Sequence, residues 1–172
     1  MTKNILIVYY SDSGNTRKAA EYIANKLDAV MEQVKTPAFG QGVWGYFKKG
    51  WFSWRKRQVP IAPVVHDPAN FDLLIVGAPV WAGHVASPIR SYLSTEAAKT
   101  QKAPRVAFFV TEGGRGGSRA LQEMRELLNV KTICELEIND HDRKIQQDIS
   151  MMENFVSLID NSLEQGPQPA TA

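Results

Sequence analysis

Three short stretches of this 172-residue chain combine residue types and spacing that suit the binding of a small phosphorylated molecule. The first is Ser11-Asp12-Ser13-Gly14-Asn15-Thr16, between an apolar run and a helical periodicity. Hydroxyls at 11, 13 and 16 and the backbone amides around Gly14, Asn15 and Thr16 can surround a phosphate, and the positive end of a helix dipole favours the same anion. Ser, Asp, Asn and Thr also favour turns and helix caps on their own account. Three hydroxyls and a glycine within six residues exceed what one cap needs. The second stretch, Pro79-Val80-Trp81-Ala82-Gly83-His84, sets an indole and an imidazole just beyond a second apolar run. The third, Thr111-Glu112-Gly113-Gly114-Arg115-Gly116-Gly117-Ser118, holds four of the chain's twelve glycines. Such a loop either lets the backbone approach a ring closely or forms a mobile link.

Competing chemistries lack their residues. There is no Gly-x-x-x-x-Gly-Lys-Ser/Thr loop for a nucleoside triphosphate and no Gly-x-Gly-x-x-Gly after the first apolar run for a dinucleotide. A phosphoacceptor receiver needs acidic groups at its strand ends, where this chain has Gly77-Ala78-Pro79. A cysteine phosphatase needs its nucleophile in the first loop. The single cysteine, Cys134, instead falls in an expected late strand and reads as a small buried hydrophobe. One cysteine excludes an internal disulfide framework and a cysteine-based zinc cluster, and no metal is expected.

The elements that position these loops are legible as patterns. Ile5–Val8, Leu73–Val76 and Val106–Val110 are continuous apolar runs, as expected of strands buried on both faces of a parallel sheet. Helical spacing links Ala19, Ala20, Ile23, Ala24 and Leu27, then Leu121, Met124, Leu127 and Leu128. A third stripe runs Ile145, Ile149, Met152, Val156, Ile159 and Leu163, and Ser87-Pro88 marks another helix start. Weaker strands are expected near 31–36 and 132–138. Five strands alternating with helices predict an α/β, doubly wound five-stranded parallel sheet with helices on both faces. We expect one domain over 1–165 and a disordered tail over 166–172, where apolar anchors are lacking. In such a sheet ligands bind beyond the carboxyl ends of the strands, where all three stretches lie.

Ser-x-Ser-Gly-Asn-Thr after a buried first strand resembles the phosphate loop of the flavodoxin and flavodoxin-like FMN-binding family. Phe71 to Gly83 is similar to that family's next strand and flavin-side loop. The likeness runs from about Lys3 to about Leu163. It implies the strand order 2-1-3-4-5 and FMN as cofactor, its 5′-phosphate held by Ser11, Asp12, Ser13, Gly14, Asn15 and Thr16. The ring would then meet Pro79, Val80, Trp81, Ala82, Gly83 and His84 on one side and Thr111, Glu112, Gly113 and Gly114 on the other. Trp81 suits packing on a flavin as well as a place in the core, whereas His84 is read first as a solvent-facing loop histidine. Many flavodoxins carry an aromatic on the third loop. This chain has none there, which would leave one flavin face open.

One segment stands apart. Between Gly40 and Gln58 there are five bases (Lys48, Lys49, Arg55, Lys56, Arg57) and no acid, which leaves 15 bases against 18 acids elsewhere. Trp44, Tyr46, Phe47, Trp51, Phe52 and Trp54 interleave with those bases, and glycines at 40, 42, 45 and 50 are expected to interrupt any helix. The mix suits a cap over the flavin, a partner site, a stacking surface or a membrane contact, or an irregular segment burying its rings. The positive charge is local, so no nucleic-acid partner is expected. No run reaches the ~18 apolar residues of a membrane span and no cleavage-site pattern opens the chain, so a cytoplasmic location is expected. Two activities fit. The protein is a one-electron carrier serving a redox partner protein, or an NAD(P)H-dependent reductase of quinones or other small acceptors.

Overall fold

The structure, a computed structural model, describes residues 3–39, 50–95, 105–139 and 145–165. The expected tail over 166–172 and Trp44, Tyr46, Phe47, Lys48 and Lys49 lie outside the described residues. The three apolar runs form β1 (Ile5–Tyr9), β3 (Leu73–Trp81) and β5 (Arg105–Glu112), joined by β2 (Val30–Gln33) and β6 (Glu135–Asn139). All five pair in parallel in the spatial order β2-β1-β3-β5-β6. Counting the parallel strands alone, that order is the expected 2-1-3-4-5. The remaining strand, β4 (His84–Val85), folds back antiparallel on the end of β3.

The runs are continuous because each face of the sheet has its own core. Leu6, Val8, Leu74, Val76, Val106 and Phe108 pack beneath α2 (Ser87–Thr95) and α3 (Gly117–Leu128). Their neighbours Ile5, Ile7, Leu73, Ile75, Ala107 and Phe109 pack beneath α1 (Asn15–Leu27) and α4 (Ile145–Glu164). A strand whose successive residues enter opposite cores has no polar face to alternate with. Phe155 joins Met152, Val156 and Ile159 in the second core and extends the apolar stripe read from α4. Helices α1 and α3 both stop at left-handed residues, Asp28 and Asn129, each with φ 52°, as short polar side chains allow. Among the described residues no helix is long and apolar enough to cross a membrane.

At the middle of β3, Gly77 sits opposite Phe109 of β5. A Cβ on Gly77 would lie 2.1 Å from Phe109 Cζ, so the phenyl ring fills the place a side chain would take. Gly77→Ala should therefore destabilise the fold by about 1–3 kcal/mol through overpacking. The double variant Gly77→Ala, Phe109→Leu should cost less than the sum of its parts. Urea unfolding of the three variants checks this, and strict additivity would show that the ring yields freely.

Candidate functional site

β1, β3 and β5 are neighbours in the sheet, so the loops after them meet at one edge. They enclose a cleft of about 230 Å³ lined by Ser13 and Asn15, by Pro79, Val80 and Trp81, and by Thr111, Glu112 and Gly113. Eight of the sixteen residues expected at a ligand site, drawn from all three loops, thus face one space.

The three hydroxyls of the first loop have separate duties. Ser11 Oγ accepts the N–H of Arg17 (3.2 Å) and so caps the first turn of α1. Thr16 is buried and shares a 2.7 Å hydrogen bond with Thr111 Oγ1, which ties the start of α1 to the end of β5. Ser13 is the hydroxyl of the three that lines the cleft. Gly14, at φ 96°, turns the chain into the helix, and its carbonyl accepts the first helical N–H, from Lys18. Asp12 stands outside the cleft lining. Spacing alone could not separate a capping serine from a ligand-facing one.

The second loop is a two-residue hairpin. Val80 pairs with Val85 and Trp81 with His84 across Ala82 and Gly83, whose φ values are 51° and 76°. Two positive φ angles are what a type I′ turn requires. In Ala82 they hold a Cβ in the left-handed region, where strain is of order 1 kcal/mol or more. Trp81 is steadied from behind by edge-to-face contacts with Tyr10 (centroids 5.5 Å) and Phe39 (5.7 Å).

The glycines of the third loop divide by role. A Cβ on Gly116, at φ 117°, would lie 2.5 Å from Gly83 Cα, so the hairpin tip and the third loop touch backbone to backbone. A Cβ on Gly117 would strike the Glu137 side chain. Around Gly113 and Gly114 the space is open, and the Gly114 carbonyl accepts from Asn139 Nδ2 (3.3 Å). Glu112 is buried, and its Oε2 accepts the Gly117 N–H (2.9 Å) at the start of α3. Burial, a hydrogen bond shared with Glu137 and the charge of Glu137 raise its pKa above the ordinary value, against the opposing pull of the Gly117 amide.

His84 corrects the expectation of a solvent-facing residue. It is buried, and its Nδ1 lies 2.5 Å from Glu123 Oε1 on α3. Glu123, itself buried, also accepts Arg90 Nη2 (2.5 Å) and the Val85 N–H (3.3 Å), with Lys56 Nζ 3.3 Å away. Burial alone would raise the Glu123 pKa, but the His84 bond, the Arg90 charge and the Lys56 contact together hold it below the usual range. The carboxylate therefore locks β4, α2 and residue 56 onto α3. Sequence reading missed Glu123 and Arg90. The available signal was a charge inside each amphipathic helix, beside Leu121 and Met124 in one and Ile89 in the other. Cys134 is only partly buried, and burial, with the Glu135 charge, pushes its thiol up to about 12, so the thiolate nucleophile is scarce.

Comparison with solved structures places this arrangement. A flavoprotein of Lactobacillus acidophilus NCFM, crystallised in complex with FMN, is 26% identical, with 84% of this chain and 97% of that chain covered and a TM-score of 0.68. The chain has the flavodoxin-like fold. The apo form of the flavoprotein from the same organism, solved by NMR, is 27% identical over 84% of this chain and 97% of its own, with a TM-score of 0.60. A flavodoxin, WrbA-like protein of Agrobacterium tumefaciens shares the flavodoxin-like fold at 13% identity, over 96% of this chain and 99% of its own, with a TM-score of 0.60. No protein-family model and no curated protein matches the chain.

At the edge of this flavodoxin-like sheet, burial and the neighbouring Glu137 carboxylate favour the protonated form of Glu112. A folded-state pKa raised above the ordinary 4.5 contributes stability that is full below that value and is lost as pH rises through the folded value. Glu112→Gln mimics the protonated acid: it can accept from Gly117 and donate to Glu137. It should raise the melting temperature by about 2–4 °C at neutral pH, and the gain should vanish below about pH 4. Thermal melts across pH check this, and a variant less stable at pH 7 would show that the ionised carboxylate is what the fold prefers.

Proposed function

We propose that this cleft binds FMN and that the protein is a flavodoxin-like redox protein acting in electron transfer. The observation that carries the reading is the convergence in one cleft of a hydroxyl- and amide-lined loop at a helix N-terminus, a ring-bearing hairpin and a glycine loop. The FMN complex of the Lactobacillus acidophilus flavoprotein supports it.

The residues fit such a group. Ser13 and the amides that open α1 would hold the phosphate, aided by the helix dipole. Once bound, FMN supplies one- or two-electron redox chemistry. The Thr16–Thr111 bond fixes the spacing between the phosphate loop and the third loop. Trp81, held by Tyr10 and Phe39, lines the cleft. Glu112, by anchoring Gly117, sets where Gly113 and Gly114 pass. We place the protein in the cytoplasm, where its lone high-pKa thiol would stay reduced.

A second reading rests on the third loop. No ring rises from residues 111–118 and the space around Gly113 and Gly114 is open, which leaves room for a nicotinamide or another small acceptor. Anaerobic mixing with NADPH separates the two, since a reductase bleaches the bound flavin within a catalytic turnover and a carrier does not.

FMN should bind the apoprotein more tightly than riboflavin, and FAD should not bind comparably. Ser13→Ala removes one donor to a charged group, worth about 1.5–3 kcal/mol. It should weaken FMN at least about tenfold and leave riboflavin unchanged. Calorimetric titration with all three flavins checks this, and equal affinity for FMN and riboflavin would overturn the phosphate assignment.

A further inference from the structure

The flavin site leaves the basic aromatic segment unexplained. Residues 50–54 are helical although Gly50 was expected to interrupt a helix, while Gly40, Gly42 and Gly45 lie outside the described residues. Its Ser53 is fully buried against Ser87 of α2, their Oγ atoms 3.3 Å apart. With that face turned inward, Trp51 and Trp54, three residues apart, stand 45% and 59% exposed. The Arg55 guanidinium lies over both indoles, at 5.6 and 5.3 Å from their centroids, and Arg57 lies over Trp51 at 5.4 Å. A guanidinium held over a ring keeps its charge and can still donate N–H groups to outside acceptors.

This patch connects with the cleft. Trp51 meets Phe52 edge to face (centroids 5.4 Å), Phe52 meets Phe39 (6.0 Å) and Phe39 meets Trp81 (5.7 Å). An unbroken series of rings therefore runs from an exposed indole to the one that lines the candidate flavin cleft.

We propose that Trp51, Trp54, Arg55 and Arg57 form a docking surface for an acidic redox protein, seated where the ring series begins. This rests on the FMN reading above. Trp and Arg are the residues that dominate binding energy at protein interfaces, and a guanidinium matches a partner carboxylate in bidentate fashion. The segment's freedom from acids leaves the complementary charge to the partner. A lipid surface would have no use for a ring series leading to the flavin. In each encounter the partner's centre gives up one electron and the bound FMN gains it, with no bond made or broken.

The test uses an acidic plant-type ferredoxin as probe, with the unmodified protein, Arg55→Gln with Arg57→Gln, and Trp51→Ala with Trp54→Ala. Calorimetry should show ferredoxin binding to the apo and the FMN-loaded protein alike at low salt, weakened at least about tenfold in either double variant. Stopped-flow mixing with reduced ferredoxin should show flavin reduction slowed by a similar factor. The rate for the unmodified protein should fall about tenfold from about 20 to about 200 mM salt, with a flatter profile for the arginine variant. Reduction by a neutral small reductant, photoreduced deazariboflavin, should be equal in all three. No ferredoxin binding by the unmodified protein, or equal binding by the variants, overturns the proposal. So does undiminished ferredoxin binding by variants that have lost sedimentation with phosphatidylglycerol vesicles, which would assign the patch to lipid. Failure of the FMN reading shows separately, as no heat on FMN titration, while ferredoxin binding to the apoprotein can still be read.

Discussion

A parallel sheet covered on both faces has nothing to offer a ligand except its ends. Every residue of β1 is buried, and the helices that bury it also dictate that each connection crosses from one strand's end to the next strand's beginning. Among the described residues, the chain leaves β1 and β5 by loops into the starts of α1 and α3, and leaves β3 by the appended hairpin. The cleft exists because β1, β3 and β5 are adjacent, and its polar lining exists because that edge is where backbone amides and short polar side chains cannot be buried.

That logic explains which parts were legible in the sequence. Continuous apolar runs report burial on two faces, so the three central strands and the doubly wound class followed from Ile5–Val8, Leu73–Val76 and Val106–Val110. The loop at 11–16 was visible because its composition exceeds the needs of a cap. What stayed hidden were contacts between segments far apart in the chain. Ser11 and Ser13 are the same residue type two positions apart, and only the path of the helix separates capping from cleft-facing. His84 read as a loop residue because nothing nearby in sequence announces Glu123, 39 residues on. Ala82 concealed a type I′ turn that asparagine would have advertised.

The Glu123 cluster shows how charge is used inside this fold. One carboxylate meets an arginine, a lysine and a histidine drawn from three separate places in the chain. Taking the carboxylate and the arginine out of water is costly, and the arginine's Nε remains buried without a hydrogen-bond partner. A hydrophobic substitute could fill the same volume, but it would not single out one orientation of the hairpin against α3. The cluster sits behind the turn that borders the cleft, so it is placed to set the angle at which that turn is presented.

The contact between Gly83 and Gly116 carries a consequence for how this protein can change over time. Two loops that touch through bare backbone leave no side chain to trim when either one shifts. A longer hairpin or a bulkier residue in one would have to be matched in the other, so the hairpin tip and the glycine loop must vary together. Ligand preference at this edge is then inherited as a unit, and its freest variables are the two open glycine positions, 113 and 114, where an added Cβ would have no atom within 4 Å.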